Sequence, residues 1–120
     1  MSFEPSEQER FEGAQEAAQF LKTMSNDSRM LILCRLIEKG EMSVSELEAD
    51  LGYRQSKLSQ HLTLLRTERL VAARRDGKNV YYSVMSQEVE KTIELMHGLF
   101  CSEEAVKRRQ TERSFYKGAA

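Results

Sequence analysis

The chain has no long apolar run: nothing in its 120 residues approaches the roughly 20 consecutive apolar residues that cross a bilayer as a helix. Its amino-terminal stretch carries Glu4, Glu7 and Glu9 where a secretion signal would be basic and then apolar. The expectation is a cytoplasmic protein without membrane contact. Net charge is nearly absent, −1 at pH 7, so total charge gives no argument for a nucleic-acid partner. Cysteine is scarce, with only two. Without an export signal they argue against a permanent disulfide framework and leave thiol chemistry or plain burial. There is no glycine-rich phosphate loop and no nucleophile with a neighbouring base and orienting group, so an enzyme is the least supported class and no cofactor is expected. There is no internal repeat and no low-complexity segment. The length suits one domain, residues 1–120, with an ordered core over about residues 9–105 and flexible termini.

What the chain does have is an uneven distribution of charge. Between residues 54 and 78, Arg54, Lys57, Arg66, Arg69, Arg74, Arg75 and Lys78 face only Glu68 and Asp76, a local +5. Residues 1–19 run the other way, with Glu4, Glu7, Glu9, Glu12 and Glu16 against Arg10, a local −4. A molecule with separated poles of this kind turns its basic side to a polyanion and binds it in a salt-dependent way.

The basic stretch has internal order. Leu58, Leu62 and Leu65 fall on one helical stripe, leaving Gln55, Ser56, Ser59, Gln60 and Thr63 as an outward band of short polar side chains. Gln pairs bidentately with adenine, Ser and Thr serve either base, and Arg54 and Lys57 at the amino end suit phosphate or guanine. His61, between Gln60 and Leu62, fits a phosphate contact or packing at this face better than a metal site. Leu70–Ala73 and Val80–Val84 then read as strands, with Asp76-Gly77 as a turn signal. Arg74, Arg75 and Lys78 at the tip of such a hairpin repel one another, so a phosphate backbone is their expected client. A helix-turn-helix followed by a basic hairpin gives the expected fold class: mainly α with a β-hairpin wing, a winged helix-turn-helix. Tyr81 and Tyr82 point to opposite faces of the second strand.

Elsewhere helical patterning dominates. Phe11, Ala14, Ala17, Ala18 and Leu21 line a first helix ending near Met24. Ser25-Asn26-Asp27-Ser28 offers a cap for a second, with Met30, Leu33, Cys34 and Ile37 on one stripe and Gly40 as its stop. Ser43-Val44-Ser45-Glu46 fits a capping box for a short third helix ended by Gly52. After the hairpin, Ser86 caps a long helix packing through Val89, Ile93, Met96, Leu99 and Phe100. Residues 102–113 are charged all round, and fraying or disorder is expected beyond about residue 110. The exit of the DNA-reading helix, Thr67-Glu68-Arg69-Leu70, lacks glycine, which costs about 1 kcal/mol if Arg69 takes a positive φ.

This order of elements, with Leu58-Ser59-Gln60-His61-Leu62-Thr63-Leu64-Leu65-Arg66 and Gly77-Lys78-Asn79-Val80-Tyr81-Tyr82, resembles the ArsR family of bacterial repressors over roughly residues 14–101. The resemblance implies a homodimer built on helical elements at both ends, two recognition helices in successive major grooves of a near-palindromic operator, and an inducer that lowers DNA affinity. Many members sense metals at the start of the third helix or on the last helix. Here the first place reads Glu41-Met42-Ser43-Val44-Ser45-Glu46, and Ser is a poor ligand for such metals. The second offers one His97 with Glu90 and Glu94. No metal ligands are assigned.

The remaining candidates are Cys34 on the second helix and Cys101 near the end of the last. That arrangement resembles the persulfide-sensing dithiol branch of the family, of the BigR and SqrR type and also the HlyU type. The resemblance implies that Cys34 and Cys101 react with hydropersulfides to form an intramolecular polysulfide link. Taken alone, Cys34 reads equally as core filler on an apolar stripe, and Cys101 has His97 four residues earlier as a cation that could favour its thiolate. Other inputs stay open: peroxide or general redox sensing by a direct disulfide between the same thiols, or a metal or haem using Cys101, His97 and a dimer partner. A protein-docking use of the winged helix also stays open.

Overall fold

The computed structural model describes residues 2–118. Local chemistry sets most of the element boundaries. Helix α1, Glu7–Met24, opens on a capping box in which Ser6 accepts from the Glu9 N–H and Glu9 answers the Ser6 N–H. It starts two residues before the expected ordered limit at residue 9. Asn26 caps α2, Asp27–Lys39, and Gly40 ends it at φ 83°. Two residues, Met42–Ser43, form strand β1. Ser43 then caps α3, Val44–Leu51, by the reciprocal Ser43/Glu46 bonds that the sequence implied, and Gly52 closes it in the left-handed conformation. Helix α4 is Gln55–Thr67, followed by strands β2, Val71–Asp76, and β3, Asn79–Val84.

The architecture is mainly helical with a small antiparallel sheet, a winged helix-turn-helix. Sheet order is β1-β3-β2, so β3 is the central strand. The hairpin is longer than expected. Asp76 pairs with Asn79, leaving Gly77 and Lys78 as a two-residue turn, and Arg74 and Arg75 belong to strand β2 rather than to the tip. Gly77 at φ 64° followed by a residue of negative φ is the II′ pattern, whose twist matches the flanking strands. Strand β1 was not expected: Met42 and Ser43 pair with Tyr82 and Tyr81 on the other side of β3.

The chain divides into two compact units, the first up to Met85 and the second from Ser86. In the first, α3 packs on α4, and α2 packs on α3, α4 and β3. Ile32, Leu33, Leu36, Leu47, Leu58, Leu62 and Leu65 have at most 1 % of their surface exposed. Burying each such side chain stabilises by about 1.5–3 kcal/mol. The α2 stripe is rotated from the expected one: Ile32, Leu33 and Leu36 are inside, Met30 and Cys34 are half-buried, and Ile37 is exposed. The expected apolar face of α1 is uncovered in the single chain, with Phe11 and Leu21 exposed and only Thr23 and Met24 buried.

In the second unit Ser86 caps α5, Gln87–Phe100, as expected. Val89 and Ile93 are buried and Met96 half-buried, whereas Leu95, Leu99 and Phe100 are exposed. Helix α6, Glu103–Gly118, continues past residue 110, where fraying was expected. A mostly charged sequence keeps its helix propensity, and Ala105 gives this helix a buried contact. Here Ser102 accepts from the Ala105 N–H, and Lys107–Glu103 and Arg108–Glu112 ion pairs at four-residue spacing support the backbone.

Candidate nucleic-acid interface and the two thiols

Helix α4 is anchored by its inward face. Leu58, Leu62 and Leu65 are buried, and the opposite band of Gln55, Ser56, Ser59, Gln60 and Thr63 is exposed. None of these five side chains makes a hydrogen bond within the described residues, so their donors and acceptors are available to a partner. Gly52, at φ 70°, makes the tight turn that brings the chain from α3 into Tyr53 and Arg54. Arg54 is the cap residue of α4 but makes no side-chain capping bond, so the helix enters with exposed N–H groups and a cation beside them. Lys57 lies with Nζ 3.9 Å from the centroid of the Tyr53 ring, which restrains a long flexible cation near the amino end. Tyr53 was missed as a functional neighbour; its four-residue spacing from Lys57 was the available signal.

The expected wing cations do not share one environment. Arg75 and Lys78 are exposed with no hydrogen-bond or ion-pair partner among the described residues. Arg74 instead donates from Nε and Nη2 to the two carboxylate oxygens of Glu41 at 3.1 and 2.7 Å. It is a fork-to-fork pair, and the hydrogen bond from Arg74 holds the Glu41 carboxyl below its ordinary range. No local sequence pattern could have found Glu41, which lies 33 residues away.

His61 also departs from the outward band. It is half-buried beside the leucine stripe. Burial lowers its pKa, and the nearby charges of Arg29 and Lys57 lower it further against a smaller opposing effect of Asp27. Of the two roles considered for it, packing at the edge of α4 describes its surroundings.

Cys34 sits half-buried on α2 in the first unit, and Cys101 is the exposed C-cap of α5 in the second. Neither forms a disulfide among the described residues. The Cys101 N–H donates to the His97 carbonyl at 2.8 Å, so the link between those two residues runs through backbone. Among the described residues no three His, Cys, Asp or Glu side chains are gathered so as to hold a metal ion. No helix among them is long and apolar enough to cross a membrane.

Comparison with known proteins agrees with this geometry. Residues 26–73 match the model of the bacterial regulatory protein arsR family. The transcriptional activator HlyU of Vibrio cholerae is 44% identical over 94 residues, 78% of this chain and 86% of that protein. The structure of reduced HlyU from Vibrio cholerae N16961 superposes with a TM-score of 0.74 at 43% identity, covering 79% of this chain and 99% of that one. The transcriptional repressor BigR from Xylella fastidiosa superposes with a TM-score of 0.70 at 34% identity, covering 82% and 97%. With an available polar band on α4, a basic wing behind it and relatives of this kind, the chain belongs to the ArsR family, on its BigR-like side, and is a DNA-binding transcriptional regulator.

Proposed function

We propose that the protein is a homodimeric repressor that releases its operator when Cys34 and Cys101 react with persulfide. The observation that carries this reading is the state of the two thiols: Cys101 is open to solvent at a helix end and Cys34 is half-buried, an accessible attacker and a sheltered second sulfur. Support comes from a relative whose structure is specifically that of a reduced form. One thiolate attacks the outer sulfur of a hydropersulfide, RS–SH, expelling RS⁻ and leaving a cysteine persulfide. Attack of the second thiolate on the cysteine sulfur expels HS⁻ and leaves a disulfide. If both cysteines are persulfidated first, the terminal sulfur of one attacks the Sγ of the other, expelling HS⁻ and leaving a trisulfide. The persulfide is the oxidant in each case, and further sulfur transfer lengthens the bridge.

Such a bridge ties α2 to the end of α5. In a dimer built on the exposed apolar faces of α1 and α5, that constraint changes the spacing of the two α4 helices, and a change of spacing is enough to lose the operator. The operator contacts in this reading are Arg54, Gln55, Ser56, Lys57, Ser59, Gln60, Thr63, Arg75 and Lys78, with His61 as packing support. A coupling of about 1–3 kcal/mol lowers operator affinity roughly 5- to 150-fold.

The test is intact mass spectrometry of reduced protein exposed separately to a persulfide donor, a disulfide and peroxide, alongside operator binding. Expected are sulfur additions with the persulfide donor and loss of DNA, with Cys34→Ser and Cys101→Ser each still binding operator but no longer responding. Release by treated Cys34→Ser equal to that of the parent would overturn the two-thiol mechanism. The reduced form of a relative also favours a second reading, in which peroxide joins the same thiols as a plain disulfide; loss of two hydrogens without added sulfur identifies it.

A further inference from the structure

The paired register of the wing sorts its charges by face. Directly opposed residues of an antiparallel pair share a face, and neighbours along a strand alternate. Arg74 is opposite Tyr81, and Tyr81 is opposite Ser43, so these three lie on one face, whereas Arg75, opposite Val80, lies on the other. On the first face the guanidinium of Arg74 is surrounded. Nε and Nη2 are bound by Glu41, Nη1 lies 3.8 Å from Asp76 Oδ2, and the Tyr81 ring centroid is 4.9 Å from its central carbon. One cation against two carboxylates leaves that face with a net negative charge. A phosphate could use Arg74 only by entering beside Glu41 and Asp76, against like charge.

The second face and the turn carry no such compensation. Arg75 and Lys78 are exposed and unpartnered among the described residues.

We propose that Glu41 is the positioning residue that determines which face of the wing meets DNA, withholding Arg74 from phosphate and leaving Arg75 and Lys78 as the wing's phosphate contacts. This rests on the wing being a DNA-contacting element of this regulator, and it is independent of the thiols. Glu41 itself touches no nucleic acid. It acts through Arg74, and the sequence places it immediately before β1, the strand that fixes the hairpin to the start of α3.

The experiment measures binding of the full chain, reduced, to operator and to random duplex across a salt series. In the homodimer, adding or removing one phosphate-binding cation per chain alters two phosphate contacts and changes the slope of log affinity against log salt by about 1.8. Arg75→Gln and Lys78→Gln each flatten the slope by that amount, whereas Arg74→Gln leaves it at the parental value. Glu41→Gln releases Arg74, steepening the slope by about one such cation and tightening operator and random duplex alike. The Glu41→Gln/Arg74→Gln double variant returns to the parental slope, which separates charge release from a general disturbance of the wing. Exposed ion pairs contribute little to folding, so all variants are expected to melt close to the parent. A parental slope in Glu41→Gln, or a flattened slope in Arg74→Gln, overturns the proposal. Parental slopes in Arg75→Gln and Lys78→Gln overturn it at its base, because the wing then makes no phosphate contact at all.

Discussion

Helices α3 and α4 are neighbours in sequence and pack together, and they end in opposite ways. Helix α3 follows local rules at both termini: Ser43 and Glu46 satisfy each other's backbone N–H groups, and Gly52 supplies the left-handed residue that closes it. Helix α4 breaks them at both. Arg54 stands at the cap without capping, and Arg69 takes the left-handed conformation at φ 62°, the only non-glycine among the described residues with positive φ. The exit of α4 is otherwise well made. The Leu70 N–H reaches the Leu65 carbonyl at 2.8 Å and the Arg69 N–H reaches Arg66 at 3.0 Å, a Schellman pattern with buried Leu65 and Leu70 at its apolar contact positions. Arg occupies both places where a short polar residue and a glycine would stabilise the helix more. A helix that only supports can be locally optimal, whereas one that presents an interface gives up local stability for charge at its ends.

If that contrast is correct, α4 is held by its buried stripe and not by its termini. Leu62→Ala should therefore have the largest effect, a loss of about 2–5 kcal/mol in urea unfolding, and a loss below 1 kcal/mol would show that the stripe is not the anchor. The caps should respond with opposite signs. Ser43→Ala should destabilise by about 1 kcal/mol, while Arg54→Ser should stabilise by a similar amount and weaken DNA binding. Equal destabilisation by both changes would remove the distinction. Arg69→Gly should raise stability by about 0.5–1 kcal/mol by relieving the left-handed strain; an unchanged unfolding midpoint would mean that Arg69 makes compensating interactions. The smallest effect concerns pH. The folded pKa of His61 is below its ordinary 6.5, so its contribution to stability is complete above that value and is lost as pH falls through it toward the folded pKa. His61→Gln should flatten the decline of the unfolding midpoint as pH falls below 6.5, and an unaltered decline would place the cause in other groups.

The contrast also separates what was legible in the chain from what was not. Each boundary set by nearby residues could be read directly: a cap within residues 25–28 and Gly40 around α2, Ser43 and Gly52 around α3, Ser86 before α5, and the strain at Arg69. The buried stripe of α4 was equally plain, because Leu58, Leu62 and Leu65 follow one period with polar residues between them. Features set by distant residues were hidden. Two residues of β1 carry no alternation, and only β3 makes them a strand. The stripe of α2 was read one step out of phase, since Met30, Cys34 and Ile37 are as apolar as Ile32 and Leu36 and only packing chooses between them. Arg74 looked like its neighbour Arg75 until Glu41 was beside it. At α6 polarity was a poor guide, because a mostly charged sequence still forms a helix that has a cap, internal ion pairs and Ala105 buried.

Strand β1 has a consequence for how the first unit opens and closes. Its pairing with Tyr81 and Tyr82 joins the two ends of a chain segment that contains α3, α4 and β2, making a closed ring fastened by a two-residue clasp. Closing a ring of that length has an entropic cost that grows only slowly with the number of residues, so even a short clasp is sufficient once the leucine core is in place. The same clasp ties local fluctuations together. Amide protons of the hairpin and of the two helices inside the ring should then exchange as one cooperative unit, making the reading surface and its wing a single mechanical part.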